Sequence, residues 1–162
     1  MTRVAGRLLW GVVAIVCGTG AARAQAPAGG PMSPAIGAVE VRIGAVVASN
    51  SGQGFDQRLA AWQREFRTLF PYSSYRLVKE ERQLVPWGGK AGFDVPGGYY
   101  VLVTPREYKD ERVSMKVMVI EGSRPIVDTT LSLRNRGTFL VGGPRDPDGV
   151  LILSIGAHTE AR

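Results

Sequence analysis

From residue 75 to residue 157 the chain is a succession of short apolar-alternating segments separated by Gly, Pro and Asn turns of only a few residues. Parallel strands need crossovers of a dozen or more residues, and these gaps hold none. The strands must therefore pair antiparallel, as a meander or a sandwich. Residues 112–121 give the clearest case, with Val113, Met115, Val117 and Val119 alternating against Arg112, Ser114, Lys116 and Met118. Residues 99–104, 126–133, 138–141 and 150–157 read as further strands. Upstream, Val39, Val41, Ile43, Ala45 and Val47 alternate with Glu40 and Arg42, the pattern of a half-buried strand.

One stretch breaks this pattern. Between Gly54 and Pro71, apolar residues Phe55, Leu59, Trp62, Phe66, Leu69 and Phe70 recur at spacings of three and four, which lines them on one stripe of a helix. Asp56 stands in its first turn, and Pro71 supplies the stop. The expectation is an α+β fold: one amphipathic helix packed on a largely antiparallel sheet or small β-sandwich, with the stripe covering the inner face of the sheet.

The N-terminus predicts export. Arg3 and Arg7 precede an apolar run at 8–18, too short to span a bilayer comfortably, and Ala22-Arg23-Ala24 has small residues where a signal peptidase reads. A transmembrane anchor is the competing reading. Val16, ahead of Cys17, is not the small residue that a lipoprotein signal wants. Residues 1–24 are thus expected to be a signal peptide and 25–37 a flexible Pro/Gly/Ala leader. A single domain is expected over 38–157, with a frayed tail at 158–162. Cleavage would remove Cys17, the only cysteine, and with it any disulfide. It would also remove Arg3, Arg7 and Arg23 with no acid, taking the formal charge from +6 to +3. Acids are interspersed among the remaining basic residues, which argues against nucleic-acid binding.

Chemistry-bearing constellations are scarce. His158, the only histidine, falls in the expected tail, without the partners that a triad or a zinc site requires. No HExxH, GxSxG or Walker pattern occurs. Glu80-Glu81 and Asp110-Glu111 are neighbours, and neighbours on a strand point to opposite faces. Asp94, Glu107 and Asp128 are dispersed acids that a small hydrolase could still assemble. Residues 146–149 read as a turn, lacking the remaining ligands of a calcium loop. Gly52-Gln53-Gly54 stands between strand and helix but lacks the Lys of a phosphate loop. No catalytic residue, metal ligand or cofactor is predicted. The aromatic residues remain: Tyr72, Trp87, Tyr100 and Tyr108 fall at strand ends and loops, where amphipathic rings can form a binding surface.

Residues 100–144 resemble the β-rich core of the outer-membrane secretins. The resemblance is carried by Thr104-Pro105-Arg106, by Val113, Met115 and Val117, by Thr129-Thr130, and by Gly137-Thr138 followed by Gly142-Gly143. It covers about a quarter of the chain, which lacks the string of N-domains and the gate region of a secretin. The resemblance implies a related sheet in an envelope-associated accessory protein.

The functional expectation is an exported, periplasmic or secreted, non-enzymatic cell-envelope module that binds an envelope protein or helps assemble an envelope complex. It would have no transmembrane span once the signal is removed, and the sequence leaves its oligomeric state open. The alternatives are a small periplasmic hydrolase using dispersed carboxylates, or a carbohydrate or small-ligand module using surface Tyr and Trp.

Overall fold

The computed structural model describes residues 37–146 and 149–160. The expected signal at 1–24 and all of the leader except Gly37 lie outside them, as does part of the turn at 146–149.

The elements in order are β1 (Ala38–Ser49), β2 (Gly54–Phe55), a 3-10 segment (Gln57–Trp62), α1 (Gln63–Leu69) and β3 (Ser74–Pro86). Then come β4 (Ala91–Val95), β5 (Tyr99–Lys109), β6 (Arg112–Glu121), β7 (Arg124–Arg134), β8 (Thr138–Asp146) and β9 (Gly149–His158). They form a five-stranded sheet in the order β2-β3-β1-β9-β8 and a four-stranded sheet in the order β4-β5-β6-β7, curled together into a half-barrel. Every pairing is antiparallel except the two-residue parallel contact of β2 with β3. The β5–β6 hairpin closes through Asp110 and Glu111 in the left-handed region, at φ 51° and 58°, the backbone of a type I′ turn.

The expected α+β architecture is overturned. Of the described residues 68% are strand and 11% helical, so the protein is mostly β. The inner face of the five-stranded sheet is covered by the second sheet. Val39, Val41, Ile43, Leu151, Leu153 and Ile155 meet Phe93, Val101, Val103, Met115, Val117 and Val119 in one core between the sheets.

The expected helix is also shorter. Its first residue, Phe55, is a strand residue paired with Tyr75. The Asp56 side chain accepts from the N–H of Arg58 at 3.0 Å, and Leu59 N–H donates to the Asp56 carbonyl at 2.9 Å. This i→i+3 bond opens a tight 3-10 turn, and only seven residues continue as α-helix. The stripe packs on the outer face of the five-stranded sheet, where Leu59 and Phe66 join Val46, Ala48, Tyr75, Leu77, Leu140 and Ile152 in a second, smaller cluster. Trp62 is only partly buried there. The Tyr75 hydroxyl donates to the Phe70 carbonyl at the end of α1.

A bulge in β3 sets which residues face which layer. Leu77 pairs with Val46 and Lys79 with Ala45, so Val78 is an extra residue without a partner. Before the bulge, Tyr75 and Leu77 face the helical segment; after it, Val85 faces the core between the sheets. At the C-terminal end β9 runs through His158. Thr159 beyond it is 2% exposed, bound to Asn135 through its N–H (2.9 Å) and its carbonyl (2.8 Å), while its hydroxyl donates to the Ala38 carbonyl at 2.9 Å.

Candidate functional site

The solvent face of the four-stranded sheet carries an apolar strip. Alternation puts Val101, Val103, Val117 and Val119 into the core, which turns Tyr100, Leu102, Met118 and Ile120 outward. Register joins these four as two adjacent cross-strand pairs, Tyr100 with Ile120 and Leu102 with Met118. Tyr100 is 39% exposed and the other three are half-buried. Side chains at this separation touch across strands, so the four form a continuous surface on the two central strands.

The rim is polar. Lys116 and Asp128 form an ion pair at 3.2 Å on the β7 side, and Asp94 stands exposed on β4 beside Tyr100. The Tyr99 hydroxyl, on the other face of β5, donates to Glu121 at 3.2 Å. Burial, with the Glu121 carboxylate adding to it, pushes its pKa up. The exposed Lys116–Asp128 pair contributes little to stability.

The four aromatic residues singled out from sequence do not converge. Tyr72 packs against the outer cluster under the helical segment, while Trp87 and Tyr108 pack against the core between the sheets. Tyr100 alone belongs to the exposed strip. Its companions Leu102, Met118 and Ile120 had a signal in the sequence: residues 99–103 and 117–120 are apolar at consecutive positions. On an antiparallel strand one parity faces the core, so the other parity had to face outward.

Elsewhere the surface offers little enclosure. A groove beside the helical segment, lined by Arg42, Gly44, Arg58, Trp62, Ser154 and Gly156, encloses about 10 Å³, room for no more than one water. Asp94, Glu107 and Asp128 are exposed on three different strands. Among the described residues no group of three or more His, Cys, Asp or Glu is placed to hold a metal ion. No helix of the described residues is long and apolar enough to cross a membrane.

Three of the four edge strands of the described sheets are less inviting than the face. β2 is two residues long, β7 carries Pro125 and the exposed charges Arg124, Asp128 and Arg134, and β8 is bulged between Gly142 and Arg145. Short, charged, proline-bearing or bulged edges resist strand addition. No protein-family model, curated protein or solved structure matches this chain.

Proposed function

We propose that this chain is an exported, non-enzymatic cell-envelope module that binds a protein partner through the solvent face of its four-stranded sheet. The observation that carries this reading is the strip of Tyr100, Leu102, Met118 and Ile120. Residues on the solvent face of an antiparallel sheet are ordinarily polar, so an apolar strip there marks a surface that something covers. An aromatic residue and a methionine at the centre of a patch with a charged rim match the composition of protein interfaces. The export signal read from residues 1–24 and the secretin-like pattern of residues 100–144 support an envelope setting.

The test is photo-crosslinking in the intact envelope, with a crosslinking residue in place of Ser114, outside the strip, or of Met118, within it. The reading requires a discrete adduct from position 118 that is lost in Leu102→Ser/Ile120→Ser, with position 114 giving none. Equal adducts from both positions, or none from 118, would remove the strip as the binding surface.

A further inference from the structure

Among the described residues β4 has a strand neighbour on one side only, β5, and its other edge faces β3 without a backbone ladder. Side chains of β3 cross that seam. Gln83 Nε2 donates to the Gly92 carbonyl at 2.8 Å, and Lys79 Nζ donates to the Asp94 carbonyl at 2.6 Å. Carbonyls two residues apart point the same way along a strand. The two donors therefore stand where the backbone N–H groups of a further strand would be. A single carboxylate holds both: Glu81 Oε1 accepts from Gln83 at 2.9 Å, and Oε2 lies 3.2 Å from Lys79. The Lys79 and Glu81 side chains are 40% and 37% exposed, so this strap can lift without opening the core.

We propose that the β4 edge is a latent strand-pairing surface for a second copy of this chain, held shut by the strap of Lys79, Glu81 and Gln83. A two-fold axis at Phe93 sets two β4 strands antiparallel and brings Gly92 of each copy opposite Asp94 of the other. The two residues whose carbonyls the strap covers then exchange main-chain bonds with each other. The same register keeps like charges apart, because each Asp94 carboxylate meets a glycine. Such a contact is isologous and closes at two copies. β2, β7 and β8 are protected by length, proline, charge or a bulge, whereas β4 is protected by these three side chains.

The test compares the full chain with Lys79→Thr/Glu81→Thr/Gln83→Thr, which replaces the strap with short residues suited to a strand. Light scattering during size exclusion gives the mass, and hydrogen exchange reads the Gly92 and Asp94 amides. The expected result is the mass of one chain for the wild type and twice that for the triple variant, with exchange at both amides slowed at least tenfold in the dimer. A dimeric wild type overturns the proposal. So does a triple variant that keeps its cooperative unfolding yet stays monomeric, or that associates without slowed exchange at those amides. If the triple variant does not fold, Gln83→Thr alone is used. It removes one donor and leaves the Lys79–Glu81 pair, so a concentration-dependent shift toward twice the mass is expected, and a monomer at every concentration overturns the proposal.

Discussion

The ring of Tyr100 on β5 lies across Gly92 on β4, its hydroxyl end occupying the space that a β-carbon at Gly92 would fill. Tyr100 pairs directly with Asp94, so Gly92 is its diagonal neighbour. An aromatic residue covering a glycine on an edge strand restores packing that the glycine lacks. Tyr100 therefore supports the sheet as well as standing in the exposed strip. Tyr100→Ala should lower stability by about 0.2–1 kcal/mol, the range of a cross-strand pair. Gly92→Val should cost about 1–3 kcal/mol by displacing the ring. Chemical denaturation of both variants checks this, and in the double variant the Gly92→Val penalty should shrink.

The outer cluster depends on Phe66 more than on Trp62. Phe66 is fully buried among Leu59, Tyr75 and Leu77, with its ring 5.6 Å from that of Tyr75, whereas Trp62 is half-buried at the margin. Phe66→Ala should cost about 3–5 kcal/mol, and Trp62→Ala less than half of that. Thermal unfolding of the two variants measures the difference. Equal losses would place the weight of the helical segment at its margin.

Asp56 gives the protein an acid-dependent contribution to stability. Its carboxyl is held at about 2, below the usual 3.8, chiefly by the hydrogen bond from the Arg58 guanidinium, against the upward pull of burial. The N–H groups of Arg58 and Leu77 add to the lowering. A depressed pKa means the stabilisation is present above the unfolded value near 3.8 and is lost as pH falls toward 2. Asp56→Ala should cost about 0.5–2 kcal/mol at neutral pH, as for other helix caps. It should also flatten the fall in stability between pH 4 and 2. Glu81, lowered by Gln83 and Lys79, leaves a residual slope of the same sign.

Glu111 is a relief point. At φ 58° it holds a left-handed conformation that costs a side-chain-bearing residue about 1–2 kcal/mol. Glu111→Gly should stabilise the protein by about 0.5–1 kcal/mol, part of the relief being offset by the added freedom of the unfolded chain. Denaturant unfolding reads the sign directly, and a loss of stability would show that the carboxylate contributes to the turn.

Antiparallel pairing was legible because it rests on local signals, namely alternation and turn residues. The choice between one sheet and two stayed open, because the residues that cover Val41 and Ile43 are Phe93 and others far along the chain. The helix was overread for a geometric reason. Over so short a stretch, Leu59, Trp62, Phe66 and Leu69 share a side whether the turn holds three residues or three and a half. Nothing local marks Glu80-Glu81-Arg82 as strand, yet β3 runs through it. Glu80 meets Arg42 of the neighbouring strand β1 at 3.5 Å, while Glu81 joins the seam with β4. The bulge at Val78 that permits this has no signature in the residue pattern. Of the exposed strip, Tyr100 was visible as an aromatic residue. Met118 was read as part of a polar face, because its neighbours Ser114 and Lys116 are polar.

The hydrogen bond from Thr159 to Ala38 brings the two ends of the described domain side by side. Both ends belong to adjacent antiparallel strands, so a load applied between them would peel the β1–β9 ladder one bond at a time instead of shearing all of its bonds together. Adjacent ends also let a domain be inserted into a host loop or reopened elsewhere at little cost. This fold is therefore suited to being carried as a side module on a larger assembly, and poorly suited to serving as a tension-bearing link within one.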